Sequence, residues 1–242
     1  MRVLFLGTGN AFASGARNHA AILLRARGMG VLLDCGPTTL VALKKHGLSP
    51  ADVDVILLSH LHGDHFAGIP FLVLHERYEG PREKPLNVLG PAGTKQTVTD
   101  VTRLCFPGIS PLPFALEYRD LIPGERVALE DLVATPFEVD HFSHGTAFGW
   151  HLSLDGKTVV FSGDTAWTDV LARESADADL FICECSSFER PLERHMSHRD
   201  LEIHREELTA RRTILVHAGE DVLAHESELS FELAHDGMEV EL

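Results

Sequence analysis

The feature that most constrains this chain is a dense group of histidine and aspartate residues that directly follows an apolar segment. Residues 53–58 read Val-Asp-Val-Ile-Leu-Leu, which is typical of a buried β-strand. Three imidazoles and one carboxylate follow within six residues, and these are His60, His62, Asp64 and His65. Imidazole and carboxylate groups together suit Zn²⁺, Mn²⁺ or Fe²⁺. The segment therefore predicts a metal site in which His60 and His62 hold one ion and Asp64 and His65 hold a second.

The charge balance limits the classes of partner. The chain has 242 residues, with 21 Lys and Arg against 36 Asp and Glu and a formal net charge of -15 at pH 7. This excess of negative charge repels polyanions and disfavours a general nucleic-acid binder. No apolar run reaches the roughly 20 residues of a membrane helix, and the first residues do not resemble a signal peptide. These features predict a cytoplasmic protein without a membrane partner.

The order of the predicted elements favours a layered α+β fold. Residues 148–153 and 158–162 predict a hairpin across Asp155-Gly156, and strands alternate with helices beyond it, including a predicted helix over residues 199–210. No Pro/Gly-rich linker separates the two halves of the chain. We therefore predict one domain over residues 1–242, with two β-sheets packed face to face and helices outside.

The cysteines do not predict a disulfide framework, because they lack the dense, regular spacing of one. We interpret all of them as small buried residues. They are Cys35, Cys105, Cys183 and Cys185.

The H-x-H-x-D-H motif after an apolar strand resembles the signature of the metallo-β-lactamase superfamily, and the resemblance extends over nearly the whole chain. It implies an αββα sandwich of two mixed β-sheets with helices on the outer faces. Residues 137–141, 161–165 and 214–217 resemble the later elements that complete the site in this superfamily. The resemblance implies that the aspartate of the second element bridges two ions about 3.5 to 4 Å apart. The implied metal ligands are His60, His62, His141, Asp64, His65, Asp164 and His217.

One of these assignments has a competitor, since His144 lies three residues after His141. We favour His141 as the third ligand of the first ion and treat His144 as a residue of the cleft. A ligand histidine commonly donates its second ring nitrogen to a carboxylate or a carbonyl group. Asp34 and Asp140 are the candidates for this supporting role.

Other segments are similar to the ribonuclease Z branch of the superfamily. Residues 5–9 and 33–36 read Phe-Leu-Gly-Thr-Gly and Leu-Asp-Cys-Gly, which resemble its N-terminal pattern. Glu184 and His195 are similar to a pair in that branch, in which the histidine helps the leaving oxygen depart and the glutamate orients the histidine. His198 is the alternative to His195 if the loop register differs. This pair points to phosphodiester chemistry.

The ribonuclease Z branch carries a basic arm that grips transfer RNA, between the third histidine strand and the G-D-T motif. Here only residues 151–162 separate Trp150 from Gly163, which leaves no room for such an arm. The chain is more similar to the small phosphodiesterases of the superfamily. We therefore predict a small-molecule or short phosphodiester substrate rather than tRNA, and the resemblance also implies a homodimer.

The function implied by the resemblance is that of a hydrolase with two divalent metal ions, with zinc expected first and manganese or iron as alternatives. A metal-bridging hydroxide would attack phosphorus, and Asp64 would orient or deprotonate this nucleophile. His195, supported by Glu184, would protonate the departing oxygen. Two alternatives stay open. The same centre could act on a carboxyl ester as a lactonase or thioesterase, or the protein could be a non-catalytic metal-binding factor.

Overall fold

A computed structural model describes residues 1–80, 82–143, 145–190 and 192–242. The strands are β1 (Arg2–Gly7), β2 (Ala21–Ala26), β3 (Met29–Leu33), β4 (Val55–Leu57), β5 (Leu86–Gly90), β6 (Leu116–Asp120), β7 (Val127–Leu129), β8 (Leu132–Val139), β9 (Ala147–Leu154), β10 (Lys157–Phe161), β11 (Leu180–Glu184), β12 (Thr213–Val216), β13 (Glu232–Leu233) and β14 (Glu239–Glu241). The α-helices are α1 (Thr39–Lys45), α2 (Gly63–Phe66), α3 (Ile69–Tyr78), α4 (Thr94–Cys105), α5 (Asp169–Ser175), α6 (His198–Ile203) and α7 (Glu220–Ala224). Short 3₁₀ helices span Ser14–Ala16, Pro50–Asp52, Arg205–Glu207 and Glu226–Glu228.

Within the described residues, the strands form two seven-stranded sheets. The first has the order β14-β1-β2-β3-β4-β5-β6 and the second the order β13-β12-β11-β10-β9-β8-β7. Strands β1 to β3 pair antiparallel and β3 to β6 pair parallel. The second sheet changes in the same way, with antiparallel pairing from β7 to β10 and parallel pairing from β10 to β13. Both sheets are therefore mixed, as the resemblance implied.

Three apolar layers pack the sheets and helices together. Val55 and Leu57 of β4 pack with Trp150 in the layer between the two sheets. Ile56, between them in sequence, belongs to the layer under α1, α3 and α4. Because alternate residues of a strand face opposite sides of a sheet, a strand covered on both faces is apolar throughout. A third layer lies under α5, α6 and α7, so the predicted αββα sandwich is confirmed.

The connection between β9 and β10 is a two-residue turn, as predicted. Leu154 pairs with Lys157 across it, and the two turn residues, Asp155 and Gly156, have φ values of 53° and 71°. A turn with positive φ at both central positions matches the twist of the strands it joins, and glycine adopts this conformation without a steric cost. Asp155 and Gly156 therefore form the whole connection between β9 and β10 of the second sheet.

Two expectations were wrong in detail. The predicted helix over residues 199–210 is too long, because α6 ends at Ile203 and the chain then turns so that Arg211 N–H donates to Ala178 O ahead of β12. Cys105 is exposed, because it is the last residue of α4, whereas the other cysteines are buried. The description of the chain as one domain stays a prediction. In the part of the chain that the structure describes, no helix has the length and apolarity needed to cross a bilayer.

Candidate metal centre

The H-x-H-x-D-H segment lies where β4 leaves the first sheet. Leu58 N–H still donates to Leu89 O at 2.8 Å, and the indole nitrogen of Trp150 donates to Leu58 O at 3.2 Å. These bonds fix the strand end from the neighbouring strand and from the opposite sheet. The chain then enters α2, which places Asp64 and His65 in a short helix just past the strand.

Three histidines form a first group, called group one, which consists of His60, His62 and His141. The ring centroid of His60 is 4.6 Å from that of His62 and 4.7 Å from that of His141. His62 Nδ1 and His141 Nε2 are 3.2 Å apart. Two nitrogens that bind one tetrahedral zinc ion at about 2.0–2.1 Å lie about 3.3 Å apart. The three rings are thus close enough to bind one ion together.

A second group, called group two, consists of Asp64, His65 and His217. Asp64 Oδ2 lies 3.2 Å from His65 Nε2 and 3.5 Å from His217 Nε2. His217 follows β12, and its N–H donates to Thr8 O at 2.8 Å while its φ is 61°. Strands from both sheets therefore bring these side chains to one place, close enough for a second ion.

Asp164 lies between the two groups. Its Oδ2 is 3.3 Å from the Nε2 atoms of His65 and His217, and 3.9 Å from the Nε2 atoms of His60 and His141. Asp164 follows β10 through Gly163, whose φ is 60° and where a Cβ atom would lie 2.5 Å from Phe148 O. A side chain at position 163 would push this loop away from β9 and from Ser59. The geometry allows one carboxylate to contact an ion in each group.

The donor atoms fit a divalent metal ion. Among the described residues, the buried Nε2 atoms of His60 and His65 have no hydrogen-bond partner. A buried polar atom without a partner costs about 1–3 kcal/mol, and a bound cation would remove that cost. Imidazole nitrogen and carboxylate oxygen are the ligand types of zinc, manganese and iron sites. The centre therefore has the donor set of a divalent metal site.

Burial and neighbouring charges shift the pKa values of the ligand side chains. Burial lowers the pKa of His60 well below its usual value, so its ring is neutral. Burial alone would raise the pKa of Asp164, but His217 and His65 hold that pKa well below the usual carboxyl range. The pKa of Asp64 is lowered against its burial by His65 and His217. Asp164 raises the pKa of both His65 and His217, so a metal ion would have to displace a proton from each of these two rings.

Hydrogen bonds on their Nδ1 atoms hold the rings of His65 and His60. His65 Nδ1 is 2.7 Å from Asp34 Oδ2, so Asp34 has the supporting contact that we predicted. Asp34 also accepts bonds from the N–H and the hydroxyl of Ser59, each at 2.8 Å. Ser59 Oγ is in turn 3.0 Å from His60 Nδ1. One buried carboxylate thus orients residues on both sides of the motif.

The prediction that Asp140 accepts a hydrogen bond from a ligand histidine was wrong. His141 Nδ1 lies 3.0 Å from the backbone carbonyl of Arg194, not from a carboxylate. Asp140 points outward and pairs with the guanidinium group of Arg194 at 2.5 Å. Because adjacent residues at a strand end face opposite sides, Asp140 cannot also reach the ring of His141. Asp140 instead contacts Arg194, whose backbone carbonyl holds the ring of His141.

Glu184 and His195 form a pair beside the metal ligands. Glu184 is fully buried, and both of its carboxylate oxygens lie 3.2 Å from His195 Nδ1. The side chain of His195 is 20% exposed, and its Nδ1 is 4.0 Å from Asp164 Oδ2. Burial lowers the pKa of His195, but Glu184 and Asp164 outweigh it and raise this pKa to about 9. His195 is therefore the member of the pair that reaches solvent, and buried Glu184 holds it from the inner side.

The two competing histidines have different outcomes. His198 starts α6 and is turned away from the ligands, since its Nε2 accepts a bond from Ser230 N–H at 3.1 Å and its ring stacks on Phe188. This geometry favours His195 over His198 as a residue of the site. His144 lies outside the described residues, so the preference for His141 over it rests on the position of His141 in group one.

Sequence reasoning missed three supporting residues, which are Ser59, Ser186 and Arg194. Ser59 directly precedes the first histidine of the motif, so its hydroxyl could have been identified as a candidate. Ser186 is 31 residues from His217, and Arg194 is 53 residues from His141, the rings that they hold. No spacing in the sequence links such pairs, because only the packing of the second sheet brings them together.

Comparisons with known proteins agree with this fold. The family model of the anti-Pycsar protein Apyc1 matches residues 1–235. A ribonuclease Z of Methanothermobacter thermautotrophicus is 34% identical over 148 residues, covering 61% of this chain and 47% of that protein. A ribonuclease Z of Methanosarcina acetivorans is 25% identical over 303 residues, covering 100% of this chain and 98% of that protein. The crystal structure of human tRNase Z, short form, matches with a TM-score of 0.83 and 25% identity, covering 100% of this chain and 99% of that one.

The fold and the site define a ribonuclease Z-like member of the metallo-β-lactamase superfamily. The superfamily resemblance predicted from the motifs is therefore confirmed. Within it, the chain belongs to the family of the anti-Pycsar protein Apyc1. The chain spans about half the length of some curated relatives, with 47% of the protein from M. thermautotrophicus covered.

Proposed function

We propose that this protein is a phosphodiesterase that binds two divalent metal ions and hydrolyses a small or short phosphodiester. The observation that carries the proposal is the position of Asp164, whose Oδ2 lies 3.3 Å from the group two histidines and 3.9 Å from His60 and His141. Two metal ions that share a carboxylate are typical of phosphatases and nucleases. Zinc is the expected metal, and manganese or iron suits the same ligands.

The ligands would be His60, His62 and His141 for one ion and Asp64, His65 and His217 for the other, with Asp164 shared. When bound, the two ions supply an activated water molecule and stabilise the charge that develops on the phosphoryl oxygens. Asp64 Oδ2 lies within group two, where it can orient the attacking water or accept its proton.

His195 supplies the proton for the leaving oxygen in this proposal. Glu184 accepts the hydrogen bond from His195 Nδ1, which leaves Nε2 as the ring atom that can give a proton. The ring lies beside both groups, with its centroid 4.7 Å from that of His141 and 5.7 Å from that of His217. A general acid at this position favours esters with poor leaving groups, such as the alkoxide of a sugar.

The hairpin between β9 and β10 favours a small or short substrate. The two-residue turn at Asp155-Gly156 offers no basic arm, and the net charge of -15 repels a long polyanion. The ribonuclease Z of M. acetivorans aligns over 303 positions, more than the 242 residues here, so it has segments without a counterpart in this chain. The name of that relative denotes cleavage of RNA, so a tRNA precursor belongs in the test.

The test combines metal analysis of the purified protein with a panel of substrates. The panel contains cyclic and linear nucleotide phosphodiesters, a tRNA precursor, lactones and thioesters. We expect two metal equivalents and turnover within the small phosphodiesters. Turnover of carboxyl esters alone would make the protein a lactonase or thioesterase, and efficient tRNA cleavage would contradict the substrate size. Bound metal without any turnover would indicate a non-catalytic factor.

Replacing His195 with alanine tests the leaving-group role. We expect His195→Ala to reduce kcat/KM by about 10²- to 10⁴-fold for an alkyl leaving group and much less for a nitrophenyl ester, which needs no proton to depart. His198→Ala is the matched control, and its ratio of the two rates should equal that of the wild type. Equal losses by His195→Ala on both esters would contradict the role, and a selective loss in His198→Ala would assign it to His198.

A further inference from the structure

The hydroxyl group of Ser186 joins the supporting pair of the site to group two. Ser186 Oγ is 2.5 Å from Glu184 Oε2, 3.0 Å from His217 Nδ1 and 3.2 Å from His195 Nδ1. Ser186 is 3% exposed and Glu184 is not exposed at all, so water does not replace these contacts. Ser186 follows the end of β11 two residues after Glu184, and residues two apart in an extended chain face the same side.

We propose that Ser186 is a positioning residue that sets the proton of the His217 ring on Nδ1 and so prepares Nε2 to bind a metal ion. The inference rests on the proposed function in one respect, namely that group two is a metal site. It assigns Ser186 no contact with the substrate and no step of the reaction.

The donors and acceptors around Ser186 determine the direction of each hydrogen bond. A carboxylate only accepts, and a serine hydroxyl has one hydrogen to donate. The short contact between Ser186 Oγ and Glu184 Oε2 therefore uses that hydrogen. The hydroxyl oxygen can then only accept from His217, which requires a hydrogen on His217 Nδ1. Glu184 Oε1 also accepts the Thr165 N–H, so the carboxylate is held on its other side.

This arrangement directs the free electron pair of the ring into group two. A neutral imidazole with its hydrogen on Nδ1 has its electron pair on Nε2. That atom lies 3.3 Å from Asp164 Oδ2 and 3.5 Å from Asp64 Oδ2. The backbone of His217 is already held by the bond from its N–H to Thr8 O. Two properties of His217 remain to be fixed, namely the side-chain torsion and the tautomer of the ring. The contact with Ser186 fixes both.

Removing the hydroxyl should affect one metal group and not the other. In Ser186→Ala, the buried Nδ1 hydrogen of His217 loses its acceptor, so the ring is free to rotate or to carry its hydrogen on Nε2. Loss of such an outer hydrogen bond typically costs about 10- to 100-fold in metal affinity. In group one, the rings of His60 and His141 are held by Ser59 and by Arg194 O, which Ser186 does not contact. Their affinity should stay unchanged.

The experiment isolates each group in turn. His62→Ala disrupts group one and His217→Ala disrupts group two, and Ser186→Ala is added to each. Zinc affinity of the metal-stripped proteins is measured by competition with a chromogenic chelator. We expect Ser186→Ala to weaken zinc binding about 10- to 100-fold in the His62→Ala background and to leave it unchanged in the His217→Ala background. Equal losses in both backgrounds, or no loss in the first, would overturn the proposal.

Three further variants make the result specific. Ser186→Thr keeps a hydroxyl and should restore the affinity of the wild type. Ser187→Ala is the matched control. Ser187 is the next residue in the chain and is also buried, but its hydroxyl has no hydrogen-bond partner among the described residues. If Ser186→Ala does not fold, Ser186→Cys replaces it, since a thiol accepts weakly and should give an intermediate loss. An unchanged affinity in Ser186→Cys would then overturn the proposal.

The measurement of zinc affinity does not require the protein to hydrolyse a substrate. If the metal-stripped wild type binds no divalent ion, the proposed function fails. If it binds two equivalents and the Ser186 variants bind them equally well, only the role of Ser186 fails.

Discussion

Single residues around the candidate metal centre hold the ligand rings in place. Asp34 is fully buried and adopts a φ of 55°, in the left-handed region. Its carboxylate accepts two bonds from Ser59 and lies 2.7 Å from His65 Nδ1. Because one carboxylate serves a residue before the motif and a ring within it, a change at Asp34 should reach both metal groups.

We expect Asp34→Asn to weaken zinc binding by about 10- to 100-fold, because an amide offers one accepting atom where the carboxylate offers two. Asparagine tolerates the left-handed region, so the backbone of residue 34 should keep its conformation. Chelator competition measures the affinity. Asp54→Asn is the control, since Asp54 contacts Gly30 and Lys84 away from the centre. Equal zinc affinities of Asp34→Asn and the wild type would refute the supporting role.

At the scale of elements, the parallel strands of the second sheet are joined by a carboxylate at the ends opposite the centre. Asp179 precedes β11 and accepts bonds from Thr158 N–H at 2.9 Å, from Lys157 Nζ at 3.3 Å and from Arg211 Nη1 at 3.1 Å. These bonds connect β10, β11 and the segment before β12. The backbone bond from Thr158 and the two cations lower the pKa of Asp179.

The lowered pKa predicts how stability depends on pH. A carboxyl group with a depressed folded-state pKa stabilises the protein above its ordinary pKa, and the gain is lost as the pH falls through the folded value. We expect Asp179→Asn to lower the free energy of unfolding by about 0.5 kcal/mol at pH 7. The effect is small because solvent screens the attraction between Asp179 and the two cations. The difference should be constant from pH 8 to about 5 and shrink below about pH 4.

Urea denaturation of the metal-stripped protein measures this difference without a contribution from metal release. Asp177→Asn, which changes an exposed carboxylate two residues earlier, is the control and should show no such trend. A difference between Asp179→Asn and the wild type that persisted unchanged at the lowest pH would show that the ionised carboxylate is not its source.

At the scale of the whole molecule, the centre joins the two sheets. His60, His62, Asp64 and His65 follow β4 of the first sheet, whereas His141, Asp164 and His217 follow β8, β10 and β12 of the second. The C-terminal segment adds to this connection, since Asp236 accepts the N–H groups of Thr8 and Asn18. A bound metal ion would therefore hold both sheets together.

The homodimer implied by the resemblance stays a prediction.

Removal of metal should lower the melting temperature. Zinc at about 100 times its Kd stabilises the folded state by about 2.7 kcal/mol, provided that the unfolded chain binds little. For a chain of this length, that free energy corresponds to a rise of roughly 5–10 °C in Tm. Differential scanning calorimetry with zinc and with a chelator measures the shift, and His217→Ala should reduce it. The same Tm under both conditions would argue against a metal centre that spans the sheets.

Sequence reasoning was most successful where the signal was local. The apolar run before His60 predicted β4, and Asp155-Gly156 predicted the hairpin. It was less successful where an element ends, as for α6, because the end depends on how the following chain packs. Asp140 was assigned to His141 from adjacency alone, and the structure places a backbone carbonyl there instead.

The amino-acid sequence by itself determined which residue types occur at the strand ends, and therefore the fold class and the donor set of the centre. These follow from short-range spacing, because a strand end directs the residues after it toward one edge of a sheet. Only the tertiary structure decided which atom of Asp164 lies between the groups, and that Ser186 and Arg194 O hold the rings of His217 and His141. Hydrogen bonds form only within about 3.5 Å. Between residues far apart in the chain, that distance is set by the packing of two whole sheets.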